Sequence, residues 1–313
     1  MSVIRIIKPG PLTTVQDLGR LGFQDRGVPV SGAVDQYALR LGNLIVGNRE
    51  GEAALEITLG GLEAEFVRDV SFALSGAESA ARLNEEVVFY WRRIAASKGD
   101  RLIIDQSRTG ARIYLALAGG IEVPPVMGSR STYLRGGFGG YQGRALRKGD
   151  SLDCGPSREA GIFEVPFGLR PAYSDHPALR VVLGPQDEEI TDQGLFTFRS
   201  SPYVLTRQMD RMGCRLEGPR ITHRRGPDII SDGTSFGSIQ IPGNGQPIIL
   251  LADRQTTGGY VKIASVIAVD WPLIAQALPG RTIRFEPISL EEARKNYFQR
   301  ESALARFLKL QGD

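Results

Sequence analysis

Glycine and proline interrupt this chain so often that long regular elements are disfavoured over most of its length. The 313 residues include 38 glycines and 18 prolines, which separate short runs rich in Val, Ile, Leu, Phe and Tyr. Short apolar runs bounded by turn residues are typical of β-strands joined by tight turns. The sequence therefore predicts a mainly β protein with only a few helices. The clearest predicted strands are residues 101–104, 113–118, 180–183, 248–251 and 282–286.

Three short turn signals recur along the chain. Residues 98–100 and 148–150 both read Lys-Gly-Asp, and residues 279–281 read Pro-Gly-Arg. Each of them precedes an apolar run, so we interpret them as equivalent turns before the final strands of sheets or barrels.

Two segments predict helices. Residues 34–46 carry apolar side chains at helical spacing and are followed by Gly47 as a stop signal. Ser289 and Glu292 have the spacing of a capping box, which predicts a second helix over residues 289–313. Its expected apolar face consists of Tyr297, Leu304, Phe307 and Leu308. We expect that face to pack on the body of the protein or on a partner chain.

An internal echo suggests two related halves. Arg20-Leu21-Gly22 in the first half corresponds to Arg211-Met212-Gly213 in the second, and chance similarity is the alternative. Prolines and polar residues cluster near residues 169–177, as expected of a domain boundary. We predict an N-terminal β-rich domain over 1–172, a C-terminal β-barrel domain over 173–288 and a terminal helix over 289–313.

Composition excludes several function classes. The net charge of +3 is too small to predict a nucleic-acid partner, and no apolar run is long enough to predict a membrane span. The first residues lack the apolar core of a signal peptide, and the two cysteines, Cys154 and Cys214, lack metal-ligand spacing. A reducing compartment, the cytoplasm, is the expected location.

Several common catalytic motifs are missing from the sequence. It contains no Walker-type phosphate loop, no Gly-x-Gly-x-x-Gly after a strand and no His-Glu-x-x-His. Its two histidines, His176 and His223, stand in polar surroundings and are expected at the surface. Zinc and histidine-triad chemistry are therefore disfavoured. A Met-Lys-Met tripeptide is absent as well, so no biotin is expected on this chain.

Four polar, glycine-containing segments are the best candidates for a site. They comprise residues 10–20 leading to 27–35, residues 128–132 with 138–140, residues 184–187, and residues 253–260. Such segments can surround a small polar ligand with backbone N–H groups, amides and guanidinium groups. The alternative for each segment is a tight turn capped by its own side chains.

The runs GPLTTVQDLGRLGFQDRGVPVSGAVD, YLALAGGIEVPPVMGSRST, RMGCRLEGP, GSIQIPGNGQPIILLADRQTTGGY and LPGRTIRF carry a specific resemblance. In this order they resemble the allophanate hydrolase subunit 2 family, also called the biotin-dependent carboxyltransferase family. The family includes the C subunit of bacterial ATP-dependent 5-oxoprolinase and the Kip anti-inhibitor. The resemblance spans nearly the whole chain and implies two cyclophilin-like β-barrel domains.

The resemblance also implies a reaction and partners. The reaction is opening of 5-oxoproline to L-glutamate with ATP hydrolysis, within a heteromer. The implied partners are a subunit 1 protein, similar to the B subunit of 5-oxoprolinase, and a lactam-utilisation protein similar to its A subunit. Because the chain lacks a Walker sequence, any nucleotide site would be unconventional or shared with the partner chain. ATP and Mg²⁺ are expected to be shared with the partner subunits.

Ten residues of the polar segments are candidates for that chemistry. Phosphoryl transfer depends on positioning and charge stabilisation, tasks that suit carboxylates, arginines and amides. We expect carboxylates to act on metal or as base, arginines to bind anionic groups, and Gln and Tyr to contact the substrate amide. The catalytic candidates are Asp17, Arg20, Asp35, Arg211 and Asp253; the substrate-binding candidates are Ser31, Gln240, Gln255, Thr256 and Tyr260. Structural turns or buried salt bridges are the alternative roles for each.

Three functions stay open at the level of sequence. The first is a 5-oxoprolinase subunit. The second is a carboxyltransferase-type subunit that acts on a urea-like substrate with carboxybiotin from another protein. The third is a regulator similar to the Kip anti-inhibitor, which binds a subunit 1 partner without catalysis.

Overall fold

The computed structural model of the chain describes residues 2–157 and 162–311. Strands hold 36% of the chain and helices 18%, which confirms the prediction of a mainly β fold. By the density of their contacts the residues divide into two compact units. The first contains Met1–Arg20, Ser31–Pro171 and Leu308–Asp313; the second contains Leu21–Val30 and Ala172–Phe307.

Among the described residues, the first unit contains two β-sheets, one complete α-helix and the last turn of the C-terminal helix. Its strands are β1 (Ile4–Pro9), β2 (Leu12–Gln16), β3 (Ala54–Thr58), β4 (Leu62–Phe66), β5 (Val70–Gly76), β6 (Ala81–Leu83), β7 (Glu86–Val87), β8 (Ile94–Ala96), β9 (Arg101–Ile104), β10 (Arg112–Leu117), β11 (Ile121–Glu122) and β12 (Ser151–Cys154). Seven of them form a sheet in the order β11-β12-β1-β4-β9-β6-β7, and five form another in the order β2-β3-β10-β5-β8. Every residue of β10 is buried, so this strand lies in the core of the unit.

Helix α1 (Gln36–Ile45) lies within the predicted segment 34–46. It is capped by Asp35, whose carboxylate accepts a hydrogen bond from the Ala38 N–H at 3.0 Å. Seven of its ten residues are buried. Ser75 of β5 donates to the Ala38 carbonyl at 2.7 Å, which joins the helix to the five-stranded sheet.

The second unit is built on a closed ring of strands. Its strands are β13 (Ala178–Leu183), β14 (Tyr203–Met209), β15 (Gly213–Glu217), β16 (Asp228–Gly233), β17 (Ser238–Ile241), β18 (Ile248–Leu250), β19 (Thr257–Val266) and β20 (Thr282–Pro287). The sheet runs β13-β20-β14-β15-β18-β17-β19, and pairing of β19 with β13 closes it. Strand β16 pairs with β19 outside this ring. The second half therefore contains the barrel that the sequence predicted.

The second half of the sequence contributes three α-helices among the described residues. They are α2 (Asp192–Ser200), α3 (Trp271–Gln276) and α4 (Leu290–Gln311). The capping box of α4 is confirmed, because the Ser289 N–H donates to Glu292 Oε2 at 3.0 Å and the Glu292 N–H to Ser289 Oγ at 3.1 Å. Residues 312 and 313 of the predicted helix lie outside the described residues.

Helix α4 is attached to the body of the second unit through polar groups more than through its predicted apolar face. Only Leu304 of that face is buried, and Tyr297 is 41% exposed. Arg180 donates to Asn296 Oδ1 at 2.9 Å while pairing with Asp270, and Arg300 donates to the Ala268 carbonyl at 3.3 Å.

The three turn signals lie where the sequence predicted them. Gly99, Gly149 and Gly280 all have positive φ, at 95°, 91° and 84°, immediately before β9, β12 and β20. Glycine is favoured in this region because it has no Cβ to clash with the backbone. None of the helices among the described residues is long and apolar enough to cross a lipid bilayer.

Candidate functional site

Asp17 follows strand β2 and uses its carboxylate to hold the loop at residues 128–132. It accepts hydrogen bonds from the Gly19 N–H (2.7 Å), Ser129 Oγ (2.7 Å), the Arg130 N–H (2.6 Å) and Ser131 Oγ. The residue is 9% exposed. These four donors occupy the acceptor positions of the Asp17 carboxylate. They stabilise its negative charge and fix the loop. The sequence marked this loop as polar but did not include its serines among the candidates.

Arg20 is fully buried beside the same loop. Its Nη2 donates to the Ser131 carbonyl oxygen, and its guanidinium carbon lies 5.0 Å from the centre of the Phe138 ring, a cation–π contact. A Cβ on Gly139 would come within 2.7 Å of Nη2 and 2.1 Å of the Ser131 carbonyl, so glycine is required there. The structure thus brings Asp17 and Arg20 together through Ser131.

Ser31 and Asp35 lie on the segment that leads into helix α1. Ser31 has a φ of 56°, is 1% exposed, and its hydroxyl has no hydrogen-bond partner among the described residues. Asp35 caps the helix, and its backbone N–H donates to the Tyr114 hydroxyl at 2.8 Å. Asp35 therefore has a structural role at the helix N-terminus.

A buried network that the sequence did not single out surrounds Tyr114. The Tyr114 hydroxyl donates to Glu56 Oε2 at 2.7 Å, and Arg112 Nε lies 3.8 Å from Glu56 Oε1. Burial, followed by the charges of Glu56 and Asp35, raises the pKa of Tyr114 well above 10.0, so the phenol stays neutral. The sequence did contain a signal for this network. Arg112 and Tyr114 are two residues apart on β10, so they lie on the same face, and polar residues inside a fully buried strand need hydrogen-bond partners.

Arg211 and Asp253 form a buried ion pair in the second unit. Arg211 Nε and Nη2 donate to the two carboxylate oxygens of Asp253, each at 3.0 Å, and both residues are 4% exposed. The Asp253 N–H also donates to the Arg211 carbonyl at 2.8 Å. The two residues join the turn between β14 and β15 to the segment after β18, which is the salt-bridge role considered for Arg211 from sequence.

The four remaining candidates lie on β17, on β19 and between β18 and β19. Gln240 on β17 is 2% exposed, and its Oε1 accepts from Gln255 Nε2 at 3.4 Å. The Thr256 carbonyl accepts from the Thr234 N–H at 3.0 Å. Tyr260 on β19 is 41% exposed. Gln240 and Gln255 are therefore brought together, whereas Thr256 contacts this region through its backbone.

Lys262 on β19 was also missed by sequence reasoning. It is 2% exposed, and its Nζ donates to Asp232 Oδ2 at 2.6 Å and to the Gly233 carbonyl at 3.0 Å. The hydrogen bond from Lys262 is the main cause that lowers the pKa of Asp232 below its ordinary 3.8. The signal for this residue in the sequence was a lysine that stands among the apolar residues of a strand.

The predicted carboxylates do not fit a resident Mg²⁺ as they stand. Asp17 accepts from four protein donors, Asp35 caps a helix and Asp253 binds Arg211. Among the residues described, no group of three or more His, Cys, Asp or Glu side chains is placed to hold a metal ion. Of the two histidines, His176 is exposed as predicted, and His223 is half-buried beside the Ile241 carbonyl at 2.9 Å.

Residues 26–287 match the model of the carboxyltransferase domain, subdomains A and B. The chain belongs to this carboxyltransferase domain family. The match covers most of both compact units, and it confirms the family resemblance that the sequence runs indicated.

Curated relatives of this family member include subunits of 5-oxoprolinase and urea amidolyases. It is 43% identical to the C subunit of 5-oxoprolinase from Escherichia coli and 36% identical to that from Haemophilus influenzae, over 94% of this chain and 94% of each relative. It is also 34% identical to urea amidolyase of Lachancea kluyveri, over 96% of this chain but only 18% of that protein.

Two solved structures have the same fold as this chain. The urea carboxylase of Kluyveromyces lactis superimposes with a TM-score of 0.93 at 31% identity, over 97% of this chain and 29% of that one. A protein designated TTHA0988 superimposes with a TM-score of 0.83 at 33% identity, over 91% of this chain and 55% of that one.

Proposed function

We propose that this chain is a subunit of an ATP-dependent 5-oxoprolinase, which opens 5-oxoproline to L-glutamate. The observation that carries the proposal is the 43% identity to the C subunit of Escherichia coli 5-oxoprolinase over 94% of both chains. The sequence identity to urea amidolyase is lower, and the alignment covers only 18% of that protein. As in those named subunits, the chain is proposed to act within a multi-subunit complex.

The buried polar groups of the second unit suit the chemistry of lactam opening. When water adds to a lactam carbonyl, negative charge develops on the oxygen, and fixed N–H donors in a dry setting stabilise that charge. The amide of Gln240 is 2% exposed and carries such a donor. We propose that four other candidates position loops, because their polar groups bind those loops. These residues are Asp17, Arg20, Arg211 and Asp253.

ATP and Mg²⁺ are proposed to bind mainly through the partner subunits. The carboxylates of Asp17, Asp35 and Asp253 are already engaged by protein donors. The proposed partners are a subunit 1 protein, similar to the B subunit of 5-oxoprolinase, and a lactam-utilisation protein similar to its A subunit. The complex is expected in the cytoplasm.

Reconstitution tests the proposal. The purified chain is mixed with the two partners, ATP, Mg²⁺ and 5-oxoproline, and L-glutamate is measured over time. We expect ATP-dependent formation of glutamate that avidin does not inhibit, because no biotinylated carrier takes part. A complete mixture that forms no glutamate would contradict the proposal.

A carboxyltransferase acting on a urea-like substrate is the second candidate. It is favoured by the TM-score of 0.93 with the urea carboxylase of Kluyveromyces lactis. This function predicts transfer of labelled carboxylate to urea in the presence of a biotinylated carrier, and its loss when avidin is added. Tight binding to the subunit 1 partner with turnover of neither substrate would instead support a regulator of the Kip anti-inhibitor type.

A further inference from the structure

Gln240 and Lys262 stand side by side on one face of the barrel of the second unit. They are direct partners in the antiparallel pairing of β17 with β19. Opposite residues of such a pair project to the same face with their Cβ atoms about 5 Å apart. Their neighbours Ile241 and Val261, which pair with each other, are fully buried and project to the opposite face. A buried amide and a buried ammonium are therefore adjacent.

The amide of Gln240 has an available donor. Its Nε2 has no hydrogen-bond acceptor among the residues that the structure describes, although the side chain is almost fully buried. A Cβ on Gly258 would lie 2.4 Å from this nitrogen, so the absence of a side chain at Gly258 makes the space that the amide uses. Buried N–H groups normally have an acceptor, which makes this donor a candidate for a ligand oxygen.

The buried ammonium of Lys262 is paired with a carboxylate that is exposed to solvent, that of Asp232. The side chain of Lys262 is 3% exposed, whereas that of its partner Asp232 is 56% exposed. Asp232 lies on β16, which pairs with β19 outside the closed ring. Between Asp228 and Asp232 the pairing slips, and Ile230 within this bulge is 93% exposed. An exposed carboxylate on an outer, irregular strand can be exchanged for another carboxylate.

We propose that Lys262 and Gln240 together recognise a small amide that also carries a carboxylate. Lys262 binds the carboxylate of the ligand in place of Asp232, and Gln240 Nε2 donates to its amide carbonyl oxygen. The inference rests on the proposed function and deepens it: 5-oxoproline carries both groups, whereas urea has no carboxylate. Asp232 holds the ammonium when no ligand is bound.

Binding measurements on the complex with its partner subunits test this inference. Isothermal titration calorimetry compares 5-oxoproline with 2-pyrrolidinone, the same lactam without its carboxylate. In Lys262→Met we expect binding of 5-oxoproline to weaken about 10-fold or more, because a charge-assisted contact is lost, with 2-pyrrolidinone changed by less than about 2-fold. In Asp232→Asn we expect 5-oxoproline to bind about 2- to 5-fold tighter, because a competing carboxylate is removed.

Matched controls are Lys295→Met, on the exposed surface of α4, and Asp228→Asn, on the same strand as Asp232; both should leave binding of the two lactams unchanged. The Asp232→Asn variant keeps the Lys262 side chain. Its affinity for 5-oxoproline therefore tests the inference even if Lys262→Met fails to fold. The inference is overturned if Asp232→Asn does not tighten 5-oxoproline binding, if Lys262→Met weakens both lactams equally, or if 5-oxoproline does not bind. Glutamate formation is measured separately, so its absence alone would overturn only the proposed function.

Discussion

Arg20 and Arg211 stand at matching points of the two sequence halves, but they are held by different chemistry. The guanidinium of Arg20 donates to a neutral carbonyl oxygen of Ser131 and lies over the ring of Phe138. The guanidinium of Arg211 makes two hydrogen bonds of 3.0 Å to the carboxylate of Asp253. In the first unit the nearby carboxylate, Asp17, binds the loop that holds the arginine.

This difference shows that a likeness in sequence does not carry over to the role of the side chain. In the second unit the acid and the arginine are bound directly to each other. Removing either one therefore takes away the opposite charge that this ion pair gives to the other. In the first unit the acid acts one step away, through Ser131. The echo in sequence therefore does not predict what the two arginines bind.

The largest effect is expected in the second unit. Removing one partner of a buried ion pair leaves a buried charge, which costs about 3–5 kcal/mol. Asp253→Ala should therefore lower the free energy of unfolding by about that amount, measured by urea denaturation. Asp228→Ala, at an exposed position, should change it by less than about 0.5 kcal/mol. An equally small effect of Asp253→Ala would show that the ion pair is not what holds Arg211.

A somewhat smaller effect is expected when the space around Arg20 is filled. Gly139 has a φ of 71°, and a Cβ there would lie 2.1 Å from the Ser131 carbonyl. Gly139→Ala should cost about 2–4 kcal/mol, from backbone strain and overpacking. Gly213, beside Arg211, would place a Cβ 2.8 Å from the Ile249 carbonyl, so Gly213→Ala should cost less. The reverse order in thermal unfolding would contradict the comparison.

Asp17→Asn should cost about 2–3 kcal/mol, because an amide cannot accept all four hydrogen bonds and places a donor against donors. Hydrogen exchange should show the loss of protection at residues 128–132, with little change in the second unit. Unchanged protection together with lost glutamate formation would instead indicate that Asp17 takes part in the chemistry.

Much of the fold could be predicted from the sequence because local signals specify it. Turn glycines such as Gly99 and Gly280 require a conformation that other residues avoid, and Ser289 with Glu292 closes a capping box within four residues. The pairing of β19 with β13, which closes the barrel, joins residues far apart in the chain and leaves no local signal.

The candidate site was less predictable for the same reason. The sequence selected Asp17 and Arg20 but could not show that Ser131, more than a hundred residues away, binds both. It selected Gln240 and missed Lys262, because their adjacency depends on the register of β17 with β19. Register is set by packing of the whole sheet.

The smallest effects concern one partly exposed ion pair in each unit. A hydrogen bond from Arg144 lowers the pKa of Asp150 in the first unit, and one from Lys262 lowers that of Asp232 in the second. Because both folded-state pKa values are lowered, the stability they contribute is complete above pH 3.8 and is lost as the pH falls through the folded-state values. Carbon NMR titration should place both pKa values below 3.8, and Lys262→Met should raise that of Asp232 alone.

We propose that this chain is required for ATP-dependent opening of 5-oxoproline. The most direct measurement is the initial rate of L-glutamate formation by the two partner proteins with ATP, Mg²⁺ and 5-oxoproline, in the presence and absence of this chain. We predict that the rate falls to background when the chain is omitted and returns when it is added back. An equal rate without the chain would contradict the account.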